Sequence, residues 1–419
     1  MGGKLEINCD LHIHGLYSSA TSSDMIPKNI VRGAKLKGLN LVGSGDILHE
    51  GWEKYIKELN KFDEGIYESE GIYFLLQAEV EDKDRVHHLI FFPSFSKVEE
   101  MRETISKYGS LKDGRPKINL DGEEIAEICK SSDCAMGFAH AFTPYFGLYS
   151  KFNSFKECYK SFSNEIFFME LGLSADSKMA DKISELHNLS FLSCSDCHSP
   201  WPHRLGREMT KIEVSDITYD SIINSIKNKK CKLNVKLDPR EGKYHRTRCR
   251  NCLIFFDNKD AASYRWKCPA CGGTIKKGVR ERIEELKDCE GNPERPKCLH
   301  IIPLAEIISI IIEKDVFSTE VQMIYRKLIE KYGNELKILI EISPVGENEI
   351  EKKVFNFIQL FREEKINYLP GGAGEYGKIV PPWKNEKMKV WVNGKIKEIE
   401  LNKMNEIDNI RIQTSLADY

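Results

Sequence analysis

CDLHIHGLYS, residues 9–18, ends a short apolar strand on two imidazoles separated by one residue. Side chains alternate between the faces of a strand, so His12 and His14 point the same way. The same arrangement recurs along the first half of the chain. Apolar runs end on Asp46 and His49 in LVGSGDILHE, on Glu79 in IYFLLQAEV, on His140 in MGFAHAFTP, and on Asp196 and His198 in SFLSCSDCHSP. RVHHLIFF adds His87 or His88; adjacent strand residues face opposite ways, and the reading favours His87. Imidazole and carboxylate are ligands for zinc, manganese and iron. Ligands carried on many separate strand ends require one pocket where those ends converge, which points to a multi-metal hydrolase.

The pattern around these residues places them on an α/β fold. Residues 1–238 alternate between strand and helix, as in SSDMIPKNIVRGAKLKG, where Asp24 can cap, Pro27 fits the first turn and Gly38 ends the helix. Such alternation predicts a parallel sheet covered by helices, with the active site at the carboxyl ends of the strands. Residues 239–280 change character, being basic, Cys/Gly-rich and poor in aliphatics. Within them Cys249, Cys252, Cys268 and Cys271 form C-x2-C-x15-C-x2-C, a closed structural zinc site that staples a unit with too little apolar mass to fold alone. Residues 281–419 read as a mainly helical domain with a terminal β-hairpin around Asn393-Gly394. The stretch PGGAGEYGK, 370–378, lacks the Lys-Ser/Thr of a P-loop and reads as a flexible turn.

Composition narrows the partners. The 419 residues contain no apolar stretch of 18, so no membrane span is expected. The start, MGGKLEINCD, does not read as a signal peptide, and residues 2–3 read as a cloning scar. An odd count of thirteen cysteines argues for reduced thiols and a cytoplasmic protein. Net charge is only −2, yet Lys227 to Lys287 holds 18 Lys and Arg against 7 Asp and Glu. A basic block beside an acidic body suits a polyanion. Tyr244, His245, Arg246 and Arg248, with Tyr264, Arg265 and Trp266, interleave aromatic and basic side chains as nucleic-acid grooves do. Arg204 and Arg207 follow Asp196 and His198 closely enough to clamp a phosphate. His203 lies beside them.

The pieces DLHIHGLYS, GDILH, AEV, VHHLI, GFAH and SDCHSP resemble the PHP (polymerase and histidinol phosphatase) metallohydrolases. That resemblance implies a distorted, TIM-like PHP barrel with a trinuclear metal cluster. His12, His14, Glu79 and Asp196 would hold one cation. Glu79, His87 and His140 would hold a second, and Asp46, His49 and His198 a third. Asp196, Glu79 and His198 would be the catalytic residues. One departure is that Asp46 and His49 are two residues apart, where the family has Asp directly before His. GDILH followed by DPREGKYH, a four-cysteine ribbon, GVRERIEEL and a helical C-terminal region is similar to the endonuclease Q group. This implies a DNA-repair nuclease cutting on the 5′ side of hypoxanthine, uracil, xanthine or an abasic site. It would use two or three divalent cations (Zn, Mn, Mg or Fe) plus one structural zinc, with DNA and an unidentified replication or repair factor as partners. A phosphatase for a small phosphomonoester and a non-catalytic DNA-binding scaffold are the alternatives. The basic block opposes the first, and the nearly complete ligand set opposes the second.

Overall fold

A seven-membered ring of strands carries the candidate ligands. In the computed structural model, which describes residues 4–292 and 294–401, the ring strands are β1 (Leu5–Asp10), β2 (Leu41–Gly43), β3 (Ile72–Leu75) continuing as β4 (Gln77–Glu81), β5 (His87–Phe91), β6 (Ala135–Phe138), β7 (Phe168–Glu170) and β8 (Ser190–Leu192). β1, β2 and β3 run parallel. The single residue Leu76 links β3 to β4, so one strand passes from the first sheet into the second. The ring closes where the chain beyond β8 meets the chain beyond β1. There Asp196 N donates to His12 O at 3.0 Å and His14 N to Cys197 O at 3.1 Å.

The ring is mixed, not parallel throughout. β5 is antiparallel to both β4 and β6, while β6, β7 and β8 are parallel. β4 and β5 are joined by a tight connection in which Arg85 N bonds Asp82 O. A connection that short can only fold the chain back as a hairpin, since parallel neighbours need a crossover. Two further antiparallel strands, β9 (Met209–Val214) and β10 (Cys231–Lys236), extend the sheet outward from β1.

The interior below the mouth is apolar, with Cys9, Leu41, Leu75, Leu89, Phe91, Phe168 and Leu192 in one buried cluster. A larger cluster lies between ring and helices and includes Ile90. The first helix, Pro27–Lys37, ends at Gly38 with φ 99°, a conformation glycine adopts freely. Asp24 does not cap it; the N-cap is Ile26, without a side-chain bond. SKMADKISELH, residues 177–187, whose composition suits one helix, forms instead a short helical turn, Ser177–Ala180, and a 3₁₀ segment, Ser184–Asn188. Tertiary bonds override local propensity there: Arg295 pairs with Asp181 at 2.8 Å, and Ser184 N donates to Asp288 at 2.7 Å.

The later segments are fastened to the ring. Three helices, Leu304–Ile312, Thr319–Tyr332 and Glu349–Arg362, follow the ribbon. Lys37 on the first helix and Glu335 form a fully buried ion pair at 2.8 Å, and Glu335 also accepts from Tyr325 Oη and Leu304 N. The hairpin Lys387–Val392/Lys395–Glu400 turns at Asn393 and Gly394, both with positive φ, as its Asn-Gly turn predicts. It docks on the ribbon through Trp391 and through main-chain bonds to Phe255. Residues 402–419 of the expected third domain lie outside the described residues. No described helix is long and apolar enough to cross a membrane.

Glu335→Ala leaves the Lys37 ammonium buried without a partner. We expect a loss of about 3–5 kcal/mol of stability, read from chemical denaturation; a loss below about 1 kcal/mol would mean the pair is not buried in solution.

Candidate metal centre

Glu79 sits at the centre of the mouth, fully buried. Its Oε1 lies 2.9 Å from His87 Nδ1, 3.0 Å from His140 Nε2 and 3.5 Å from His12 Nε2. Its Oε2 lies 3.5 Å from His14 Nε2 and 3.4 Å from Arg115. Asp196 Oδ1 stands opposite, 3.1 Å from His14 Nε2 and 3.7 Å from His12 Nε2. Among the described residues the ligand atoms gather into two such groups, His12 with His14 and Asp196, and Glu79 with His87 and His140. Glu79 reaches both.

The local folds explain this convergence. β5 runs backwards, so His87 at its start lies at the same end of the ring as residues that finish the other strands. Leu89 and Phe91 belong to the interior cluster and Ile90 to the outer one, which puts His87 inside and His88 outside. His88 is held in the protein body by Tyr159 Oη at 2.9 Å and Asp82 at 3.0 Å. Asp46, His140 and Asp196 adopt φ of 38°, 28° and 47°, a region non-glycine residues enter at a cost. Each lies just past a strand end, where the turned backbone redirects the side chain.

Two carboxylates orient the first imidazoles. Glu170, at the end of β7, bonds His12 Nδ1 at 2.8 Å and accepts from His140 N at 3.0 Å. Asp46 bonds His14 Nδ1 at 2.9 Å, and its other oxygen accepts from Gly15 N at 2.5 Å. Asp46 thus spends one oxygen on His14 and the other on the main chain beside it, an arrangement that orients a ligand imidazole from behind. The expected third set is less gathered. His49 caps the helix Glu50–Lys57 by accepting from Trp52 N and stacks on Tyr17, 4.2 Å between ring centres. His198 packs 4.5 Å from the His14 ring.

The residues fit divalent cations. His12 Nε2 and His140 Nδ1 are buried without a hydrogen-bond partner, which native structures seldom leave so. Burial opposes charge on His14, yet Asp46, Asp196 and Glu79 outweigh it and push its pKa up to about 10. Burial likewise opposes charge on His12, but Glu170, Glu79 and Asp196 hold it well above the usual range. Burial would raise Glu79, but His87 and His12 depress it far below the ordinary carboxylate range. Protons thus occupy the positions that cations can take. In the ribbon, Cys249 Sγ and Cys271 Sγ lie 3.5 Å apart, as do Cys252 and Cys268. Sulfurs about 2.3 Å from one zinc stand about 3.8 Å from each other in a tetrahedron.

The other expected contacts divide. Tyr244 lines a cavity of about 180 Å³ with His87, His140, Asp196 and Arg115. His245 and Arg246 are buried instead; His245 bonds Ser174 O at 3.1 Å, and Arg246 pairs with Glu281 at 2.8 Å. Arg248 donates to Leu253 O and covers the Phe255 ring. Arg207 donates to the carbonyl of Ser195, the residue before Asp196. Arg204 and Arg207 line a neighbouring cavity of about 210 Å³ with Glu241, Glu306 and Tyr376.

Sequence reasoning missed Glu170, Arg115, Lys243 and Tyr376, all four of which line the metal cavity. Glu170 carried the same signal as Glu79, an acid ending an apolar run. Tyr376 lies in the Gly-rich stretch, which is no free turn. Its main chain bonds residues 240–246, with Gly371 N to Arg240 O at 2.7 Å and Gly377 N to Glu241 O at 2.9 Å. A Cβ on Gly377 would stand 2.1 Å from Arg240 O, so only glycine permits the contact.

A ring barrel whose mouth gathers histidines around a shared carboxylate has the site of a metal-dependent hydrolase. Residues 303–365 match the family described as the MJ0043 C-terminal domain. The uncharacterized protein MJ0043 of Methanocaldococcus jannaschii is 48% identical over 247 residues, 57% of this chain. The match spans only 31% of that relative's length. YqxK of Bacillus subtilis is 28% identical over 90% of the chain and all of that protein. The crystal structure of the lesion-specific endonuclease PfuEndoQ from Pyrococcus furiosus is 45% identical, with TM-score 0.86, over 90% of this chain and 96% of that one. Endonuclease Q bound to a 27-mer duplex with an abasic lesion at the active site matches equally, covering 97% of that chain. The chain belongs to the endonuclease Q family of metal-dependent DNA endonucleases.

Loading metal-free protein with Mn²⁺ or Zn²⁺ should release protons at pH 7, because neutral His14 must replace its protonated form. Calorimetry in buffers of different ionisation enthalpy reads this, and buffer-independent heats would refute it. His87→Ala should lower the bound metal content, whereas His88→Ala should leave it unchanged, as measured by elemental analysis.

Proposed function

We propose that the protein cuts one DNA strand on the 5′ side of a deaminated base (hypoxanthine, uracil or xanthine) or an abasic site, after the damaged nucleotide has turned out of the helix. One observation carries this reading. The cavity of about 180 Å³ is lined both by metal-centre residues and by Lys243, Tyr244 and Tyr376 from the segments that follow the barrel. It is smaller than the roughly 300–1,000 Å³ of usual ligand pockets and suits a single base or bare sugar. A groove of about 510 Å³ leads from Tyr244 along Tyr145, Trp266, Lys151, Lys276 and Lys277. Lys276 covers the Tyr145 ring at 5.0 Å and Lys277 the Trp266 ring at 5.0 Å. Aromatic faces beside cations suit nucleic acid, and a phosphomonoesterase has no use for such a track.

The chemistry assigned to the chain follows from its side chains. Bound divalent cations supply hydroxide near neutral pH and charge to stabilise the leaving 3′ oxygen. His12, His14, Asp196, Glu79, His87 and His140 would hold them. Glu170 and Asp46 fix the tautomers of His12 and His14 by bonding Nδ1, which leaves Nε2 of each facing the centre. Arg115, whose own burial is outweighed by Glu79 and Asp196, keeps its charge at the cavity wall. It can meet a non-bridging phosphate oxygen. Lys243 and Tyr244 close the outer side and restrict which nucleotide enters.

The direct test uses end-labelled duplexes carrying one deoxyinosine, one deoxyuridine or one abasic site, with Mg²⁺ or Mn²⁺. Undamaged DNA and a generic phosphomonoester are the controls. One cut immediately 5′ of the lesion is expected, weakening steeply with added salt. Phosphate release from the monoester without lesion cleavage would overturn the reading. Asp196→Asn should abolish cleavage with DNA affinity within a few-fold of wild type, and Glu170→Gln should slow cleavage about 10- to 100-fold. Cys249→Ser should unfold the ribbon and weaken DNA binding; unchanged affinity would remove the ribbon from DNA recognition.

A further inference from the structure

A second aromatic pocket opens between the first barrel helix, the loop beyond His198 and the helical region. Its volume is about 260 Å³, and its walls include Trp201, His203, Phe317 and Tyr325, with Arg32 and Arg326 at the rim. Phe317 is 64% exposed, a large apolar ring held in water. The His203 ring meets it edge-on, with centroids 4.9 Å apart. The Arg32 guanidinium lies over the Trp201 ring at 5.9 Å. Arg32 and Arg326 are both exposed and have no carboxylate partner among the described residues. Two unpaired guanidiniums flanking the exposed Phe317 ring and the half-buried Trp201 form a site for an anion attached to a planar ring.

The pocket is built rather than incidental. Gly33 on the first helix presses against the loop that carries Trp201, so closely that a Cβ there would stand 1.8 Å from Pro200 O. Across the pocket, the Tyr325 hydroxyl is spent on Glu335, the partner of buried Lys37. Burial and neighbouring Arg204 lower His203 to about 4, so that wall is neutral at working pH. Proximity to the cut follows from chain length. Trp201 is three residues past His198, so their Cα atoms are at most about 11 Å apart. Stacked nucleotides rise about 3.4 Å each, which places the pocket within a few nucleotides of the metal centre.

We propose that this pocket is a second nucleotide subsite: a base of the substrate DNA a few nucleotides from the cut stacks between Trp201 and Phe317, and Arg32 and Arg326 hold the adjoining phosphates. The proposal rests on the nuclease reading and adds to it a second grip, whose lining shares no residue with the ribbon groove. An apolar protein segment would also find Phe317 and Trp201, but it would leave both guanidiniums unanswered.

The test is a cycle of protein and substrate truncations under single-turnover conditions. Phe317→Ala and Arg326→Ala change exposed side chains and should preserve the fold, checked by circular dichroism. Each should weaken half-saturation on a long lesion duplex about tenfold. Shortening the duplex to one nucleotide beyond the cut or the lesion, on one of its two sides, should weaken wild type by a similar factor and the variants no further. Variants equal to wild type on every duplex, or losses that simply multiply for both truncations, would overturn the subsite while leaving the nuclease reading intact. Wild type that neither binds nor cuts lesion DNA would overturn both. Unchanged DNA handling with lost binding of a protein factor would assign the pocket to that factor instead and refute the proposal.

Discussion

A carboxylate with no access to water organises this molecule. Glu79 cannot remain ionised at the barrel mouth without positive charge on both its oxygens, because an isolated buried charge is far too costly. The imidazoles of His12, His14 and His87, whose pKa values are raised, and the Arg115 guanidinium supply that charge in the structure, His140 adds a hydrogen bond, and cations can take their place. The neighbouring acids follow from the same requirement. Glu170 and Asp46 bond the far nitrogens of His12 and His14 and turn the near ones toward Glu79. The reversed strand serves it as well, since a parallel β5 would deliver its first residue to the opposite end of the ring. Strained backbone at Asp46, His140 and Asp196 completes the set, at a cost of about 1–3 kcal/mol each that the surrounding barrel must absorb.

Residues with a strong local signal were legible in the sequence. HIH advertises two imidazoles on one face, DCH an acid, Asp196, that meets them at the barrel mouth, the four cysteines their cluster through their spacing, and Asn393-Gly394 the turn it dictates. The direction of β5 was not legible, because RVHHLIFF alternates identically read either way; only the tight Asp82–Arg85 connection distinguishes them. The choice between His87 and His88 depends on which face meets the interior, and the packing of Leu89, Ile90 and Phe91 decides it. Arg115 comes from a polar loop with no periodicity. Arg246 shows the converse error of pattern reading. Basic and flanked by aromatics, it looks outward on paper, yet Glu281 holds it inside.

The ribbon and the helical region serve the barrel in different ways. The ribbon is too small to have a core of its own; its few buried side chains join Trp391 of the terminal hairpin. The helical region is anchored by the buried Lys37–Glu335 pair. A pair of this kind contributes little net stability but strongly penalises any arrangement that separates its members. That penalty fixes the orientation of the helices on the first barrel helix. The glycine strap, clamped on residues 240–246, ties these later parts together above the metal centre.

The order of residues around the metal cavity has a consequence for biosynthesis. The candidate metal ligands lie between His12 and His198, whereas Lys243, Tyr244 and Tyr376 emerge later from the ribosome. At about 5–20 residues per second, roughly 10–40 s separate the last ligand from the last wall. During that interval a nascent barrel can gather its histidines while the cavity above them stands open on one side. The growing chain thus acquires its reactive centre before the parts that decide what may approach it, and selectivity is the last property to be translated.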